Sequence, residues 1–491
     1  MLMKNPYQFI IPRLNGDKIK ADFDYYRSLV KKGVAGFIIF GGKLGQVRAY
    51  IRKLQDEADL PLIISSDLER GLGQQIEGGT SFPPAMAIVS AMRDRRKASD
   101  NSRLGRMIGK AKLPILRSSF RAVAEEARYA GINTIFAPVL DINTNPENPI
   151  IAARAFGEDS ESVSFFGCEM IRALQKEGVA ACAKHFPGHG DTSVDSHLTL
   201  PVITKGFRQL ALNELRPFKK AAEAGVSMIM LGHLKVPAID PSGLPASFSK
   251  RTVEYLRNNM RYQGILITDA MDMKGLGGYS EDEACLTALR SGVDLLLHPS
   301  DPDKIALSLE KEAGVADAGR VTSFRRGLWK TLPADRPDFL KHAETSREIT
   351  RRAIRVQGAI DTDKIPFLII LNDEYEDRGR PLIKKLKEML PETRHLVIRQ
   401  GSDIPEGVPP PDKYAVVAIF SDTRAWKGGS SGWLQTTLSR LEETAGIFIS
   451  FGSPYLLKPV EGPVKIFAYW DHHSAQEAVA DIIGQRIIQS C

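Results

Sequence analysis

At 491 residues the chain is too long for one ordinary domain and points to two or three. Hydrophobic residues make up 43% and charged residues 25%, the proportions of a soluble globular protein with a full core, which excludes a disordered or fibrous chain. The net charge of +7 is spread through runs such as Arg93-Asp94-Arg95-Arg96-Lys97 and Lys384-Lys385, which read as solvated helix faces rather than a nucleic-acid surface.

Eight short apolar runs recur through the first 300 residues: Gln8–Ile11, Gly36–Phe40, Leu62–Ser65, Thr134–Ala137, Val179–Ala183, Ser227–Leu231, Gly264–Thr268 and Asp294–Leu297. Amphipathic segments alternate with them, at Asp22–Lys32, Leu44–Ala58, Glu161–Glu177, Phe207–Ala224, Lys250–Met260 and Glu281–Ser291. Eight strand-helix repeats predict an N-terminal (β/α)8 barrel of the TIM type, with Ala91–Ala130 as its main insertion. Seven of the eight runs deliver a charged residue or histidine to their ends, among them Arg13, Asp67, Asp141, Lys184-His185, His233, Asp269 and His298. So regular a pattern marks that rim as the active face.

After Asp303 the pattern turns helical, and Gln357–Pro366 reads as a linker. New strands follow at Phe367–Leu371, His395–Ile398, Ala415–Phe420, Gly446–Phe451 and Lys465–Tyr469, with helical stretches at Arg380–Met389 and Gln435–Ala445. They predict a smaller doubly wound α/β sandwich domain. The expected division is a catalytic barrel over 1–330, a helical linker over 331–365 and the second domain over 366–491. The polar loop Arg424–Gly432 lacks the strand-then-helix setting of a dinucleotide fingerprint, and no cofactor is expected.

The four cysteines, Cys168, Cys182, Cys285 and Cys491, show neither metal-ligand nor redox spacing. No apolar run approaches the ~20 residues that span a bilayer. Met1–Pro6 has no leader character, so the expectation is a cytoplasmic protein with no membrane or nucleic-acid partner.

The densest chemistry lies in Lys184-His185-Phe186-Pro187-Gly188-His189-Gly190-Asp191-Thr192-Ser193-Val194-Asp195-Ser196-His197, three of the chain's nine histidines within fourteen residues. It follows an apolar strand, and Asp269 ends another. A carboxylate on a strand end facing an acid/base group on a loop is the minimal equipment for cleaving a glycosidic bond. Taken singly, each residue has a plainer reading: Asp269 as a helix N-cap, Asp195-x-His197 as a solvated loop, and Lys184 as a rim ion pair.

Together these residues resemble glycoside hydrolase family 3, in its β-N-acetylglucosaminidase branch. Supporting matches are Thr268-Asp269-Ala270-Met271-Asp272-Met273-Lys274, Phe82-Pro83-Pro84-Ala85-Met86-Ala87, Phe136–Asp141, Arg154-Ala155-Phe156-Gly157, Leu215-Arg216-Pro217-Phe218 and Gly452-Ser453-Pro454-Tyr455. The resemblance implies that Asp269 is a nucleophile forming a covalent glycosyl-enzyme. It makes His197, oriented by Asp195, the general acid/base, a task suited to imidazole, whose ordinary pKa of about 6.5 lies near working pH. Asp67, Arg154, Lys184 and His185 become ligands for sugar hydroxyls, with Arg13 and His233 as further rim candidates and no metal. The implied activity is retaining, exo-acting removal of β-linked N-acetylglucosamine, with muropeptide fragments of peptidoglycan as a small-molecule carbohydrate substrate. Where the family pattern has Asp-x-Glu-Gly-Gly-Arg, this chain has Asp67-Leu68-Glu69-Arg70-Gly71-Leu72, which leaves loop shape and sugar preference open.

Three other chemistries use the same residues. A phosphorylase would pass the sugar from Asp269 to phosphate, a β-glucosidase would lack the N-acetyl preference, and a metal-dependent barrel hydrolase would recruit His185, His189, Asp191, His233 and Asp269.

Overall fold

Six residues at the start of the chain close the barrel. The computed structural model describes residues 5–93, 112–192, 200–273, 276, 278–311, 317–360, 364–373, 378–409, 414–421 and 432–490. Strand β1 (Ile10–Ile11) pairs with β9 (Leu295–Leu297), and β2 (Arg13–Asn15), just past Pro12, pairs with β3 (Gly36–Phe40). The sheet continues through β4 (Ile63–Ser66), β5 (Thr134–Ile135), β6 (Ala180–Phe186), β7 (Met228–Leu231) and β8 (Ile265–Ala270), every pair parallel. Because β1 and β2 are one stretch of chain, the two ends of this order meet and the sheet closes, as the eightfold pattern predicted.

Alternate strand residues fill the interior, where Ile11, Ile38, Ile63, Phe136, Cys182, Met228, Met230, Ile265, Ile267, Leu295 and Leu297 form one buried cluster. Val321 joins that cluster from the helix Gly319–Gly327, which lies against the N-terminal ends of the strands and plugs that end. Chemistry is therefore left to the opposite, C-terminal end. The outer helices carry their own start and stop signals: Ser280 and Glu283 form a capping box before Glu281–Ser291, and Gly292 ends that helix in the left-handed region at φ 99°.

Several expected boundaries shift for local reasons. The segment Phe207–Ala224 is two helices, Phe207–Leu212 and Leu215–Glu223, broken at Asn213 and Glu214. The segment Lys250–Met260 begins as an α-helix over Lys250–Glu254 and widens to a π-helix over Tyr255–Asn259. Regular pairing of β5 stops at Ile135, ahead of Pro138, which has no N–H to donate. Within the insertion, Leu113–Ala130 is a helix whose buried face includes Leu116, Phe120, Val123 and Ala127, while the basic run beyond Arg93 lies outside the described residues.

The second unit is not continuous in sequence, unlike the expected division at 330 and 365. Residues 83–113 and 146–154 belong with 344–491, while the barrel unit runs to Ala343. Helix Ala85–Met92 shows why: Ser90 Oγ donates to Ala353 O at 2.7 Å, a tertiary contact that no sequence pattern records. The sheet of this unit comprises β10 (Arg355–Gln357), β11 (Pro366–Asn372), β12 (Arg394–Arg399), β13 (Tyr414–Phe420), β14 (Ala445–Ser450) and β15 (Val464–Phe467). Their order is β10-β15-β14-β13-β11-β12. The five later strands are parallel in doubly wound order. β10 adds an antiparallel edge and takes up the first residue of the segment expected as a linker. Helices Arg380–Met389 and His473–Ser490 cover one face and Gly432–Leu441 the other, so β11 and β13 are buried on both sides and read as unbroken apolar runs.

Candidate active site

The C-terminal end of β6 presents Lys184 and His185 side by side, and each is held by acidic partners from neighbouring strands. Lys184 is 2% exposed, with its Nζ 2.6 Å from Asp67 Oδ1 and 2.7 Å from Glu69 Oε1. One buried ammonium between two carboxylates fixes both acids against the rim while Asp67 keeps part of its surface open. Hydroxyl recognition needs that arrangement: acceptors and a donor, pre-ordered and only partly solvated.

His185 is oriented from behind. Asp141, fully buried, lies 2.7 Å from His185 Nδ1 and accepts backbone N–H groups from His185 at 3.3 Å and His189 at 2.6 Å. Burial alone would raise the Asp141 carboxyl, but the charge and hydrogen bond of His185 and the donors of His189 outweigh it and hold the carboxyl below its ordinary range. With Nδ1–H given to Asp141, Nε2 of His185 is the atom left to face a ligand. Asp141 was legible as a rim acid, and the structure makes it the orienter of His185.

Asp269 sits at the penultimate position of β8, where Ala270 N donates to its Oδ1 at 2.9 Å. A rigid strand on a closed barrel sets its position better than a loop would. His233, expected as a substrate ligand, is instead fully buried and has both ring nitrogens engaged. Its Nε2 lies 3.0 Å from Ala270 O, which can only accept, so Nε2 carries the proton and Nδ1 accepts from Ser247 Oγ at 2.7 Å. His233 thus holds the turn after Asp269 through Ala270 O.

Arg13 is exposed on β2, its guanidinium 5.0 Å from the Phe40 ring centroid. Beside it the rim residue His298 has a partner that the sequence reading did not select: its Nδ1 lies 3.3 Å from Asp272 Oδ1, and its ring is 6.2 Å from Phe40. His298 holds a left-handed φ of 50°, unusual for a side chain with a Cβ and a mark of a constrained rim position. Burial lowers its pKa, opposed by Asp272 and assisted by Arg13. The available signals were its place at the end of the eighth run and Asp272 three residues after Asp269.

Arg154 belongs to the second unit, in the 3-10 helix Ala152–Arg154, where its Nη1 donates to Ile150 O at 3.2 Å. Asp195 and His197 lie outside the described residues. His189 and Asp191 from the same motif are placed: His189 is buried with Nδ1 2.8 Å from Thr192 Oγ1, and Asp191 accepts from Thr144 Oγ1 at 2.9 Å. Cys168, Cys182 and Cys285 are buried. Among the described residues no helix is long and apolar enough to cross a membrane, and no group of three or more His, Cys, Asp or Glu is arranged to hold a metal ion.

Burial pushes the His189 imidazole down to about 4, against an opposing pull from Asp141 and with further lowering from His185. The unfolded chain therefore takes up this proton near pH 6.5 and the folded chain only near 4, so stability is full above 6.5 and falls as the pH drops between them. The whole window is worth on the order of 3 kcal/mol. Melting temperatures measured from pH 7 to 4 should fall more steeply in the parent protein than in His189→Gln, and parallel curves would refute this account.

Comparison with known proteins follows the same residues. The model for "Glycosyl hydrolase family 3 N terminal domain" matches residues 7–325. A β-hexosaminidase A from Pseudoalteromonas piscicida is 34% identical over 260 residues, covering 50% of this chain and 41% of that longer protein. A β-hexosaminidase from Nitrosomonas eutropha is 29% identical over 329 residues, covering 65% of this chain and 89% of its own. Over nearly full length the fold matches a solved family 3 β-N-acetylglucosaminidase from Paenibacillus, with TM-score 0.80, 27% identity and coverage of 99% and 97%. A family match over most of the chain, on the barrel that carries this rim, places the protein in glycosyl hydrolase family 3 as a glycoside hydrolase.

Proposed function

We propose that the protein is a retaining, exo-acting β-N-acetylglucosaminidase. In this reading Asp269 attacks the anomeric carbon from below the ring, and His197, oriented by Asp195, protonates the departing oxygen and then activates water. Asp67, Lys184 and His185 hold the sugar's hydroxyls, and Arg13 lies on the same rim. The observation that carries the reading is a strand-end carboxylate, Asp269, on the rim where Lys184 is clamped between Asp67 and Glu69 and His185 is oriented by Asp141. A carboxylate for covalent attack stands with pre-ordered hydroxyl ligands. The N-acetyl preference is supported by the relative from Paenibacillus, named a β-N-acetylglucosaminidase, and the hexosaminide substrate class by the Nitrosomonas β-hexosaminidase. Wall-derived muropeptide fragments in the cytoplasm are the substrate we infer from the same resemblance.

Turnover of nitrophenyl β-N-acetylglucosaminide should exceed that of nitrophenyl β-glucoside by at least about 100-fold, the discrimination expected of a site built for one polar substituent. Proton NMR of the first-formed product should show the β-anomer. Preference for the glucoside would sink the N-acetyl assignment. A sugar 1-phosphate whose yield follows phosphate concentration would replace hydrolysis by phosphorolysis, and loss of activity to a chelator would favour the metal-dependent alternative.

A further inference from the structure

The segment between Asp191 and Lys205 contains Asp195 and His197, and both of its limbs are anchored on the barrel. On the incoming limb Gly190 lies so close to the Ile142 backbone that a Cβ there would come within 1.8 Å of Ile142 O. Asn145 N donates to Gly190 O at 3.3 Å, and Thr144 Oγ1 donates to Asp191 Oδ1. On the outgoing limb Lys235 N donates to Pro201 O at 2.9 Å, and Ile203 N donates to Lys235 O at 2.8 Å. One side chain joins the two limbs: Lys205 Nζ lies 3.1 Å from Asp191 Oδ2 and 2.7 Å from Glu214 Oε1.

Lys205 is a half-buried cation, with 24% of its side chain exposed against 1% for Glu214. Burial would pull its ammonium down, but the hydrogen bonds and charges of Glu214 and Asp191 outweigh that and hold it above its ordinary range, so it is charged wherever the enzyme works. Glu214 directly follows Asn213, whose φ of −114° and ψ of −87° break the expected single helix, and its carboxylate accepts from Lys205.

We infer that Lys205 is a positioning residue for the proposed acid/base, closing the stem of the segment that carries His197 and Asp195. The inference rests on the reading of His197 given above. The ion pair between Lys205 and Asp191 fixes the separation of the two described ends of that segment. Misplacing a catalytic group by about 1 Å can reduce rate by about 100-fold.

The test compares Lys205→Met, Lys205→Arg, Asp191→Asn and His197→Ala on two N-acetylglucosaminides, one with a nitrophenol leaving group and one with an alkyl alcohol. Lys205→Met should lower kcat on the alkyl glycoside by about 10- to 100-fold, with KM within about threefold, and lower nitrophenyl turnover much less. Lys205→Arg should recover most of the loss, and Asp191→Asn, which leaves the contact with Glu214 in place, should show the same selectivity more weakly. In a His197→Ala background Lys205→Met should change alkyl-glycoside turnover no further, because both act through one group. Equal losses on both leaving groups, or a full additional loss in the His197→Ala background, would overturn the inference while leaving the acid/base reading intact. If His197→Ala alone spares the alkyl glycoside, the acid/base reading fails first and takes this inference with it.

Discussion

Replacing Asp269 with alanine is expected to abolish turnover on every substrate, with kcat falling by at least about 10,000-fold, roughly 5 kcal/mol of lost transition-state stabilisation. The loss should be indifferent to the leaving group, because without the proposed nucleophile no glycosyl-enzyme forms however well the departing oxygen is protonated. That separates Asp269 from His197, whose loss should weigh on poor leaving groups. Folding should survive: Asp269 is only partly buried, and the main-chain turn it begins is held independently by His233 on Ala270 O. Asp269→Ala also leaves a void beneath the ring. Azide should enter it and restore part of the activity on the nitrophenyl substrate, giving an α-linked glycosyl azide by single inversion. A β-linked azide, or residual activity above a hundredth of the parent, would show that another group is the nucleophile.

The barrel was readable because its strands are buried on both faces and show as apolar runs, each ended by the polar residue that reaches the rim. What each rim residue touches was not readable. His233 and His185 both follow apolar strands, yet one is buried against the turn after Asp269 and the other backs onto Asp141, a partner 44 positions away in sequence. The break at Asn213 and Glu214 was hidden because apolar residues such as Leu210, Leu215 and Phe218 continue on both sides of it. The discontinuous second unit depends on contacts such as Ser90 with Ala353 that periodicity does not encode. Lys184 was legible as a rim cation and as a sugar ligand by resemblance, but its clamp between Asp67 and Glu69 required the packing of β4 against the rest of the barrel.

That clamp carries the second large effect. In Lys184→Met the two carboxylates lose the ammonium that lies within ion-pair distance of both, and two like charges are left close together in a largely buried setting. Breaking a buried pair from one side costs about 3–5 kcal/mol, and the partial exposure of Asp67 favours the lower figure. The variant should therefore melt at a visibly lower temperature at pH 7. Activity should suffer beyond stability, because the ammonium and the acids it aligns are the proposed hydroxyl ligands: losing one or two charge-assisted hydrogen bonds predicts a drop in kcat/KM of about 100- to 1,000-fold at temperatures where the variant is fully folded. Replacing Glu69 with Gln in the same background removes one of the stranded charges, so the double variant should regain melting temperature without regaining kcat/KM. Activity and stability returning together would mean that Lys184 serves the fold and not the sugar.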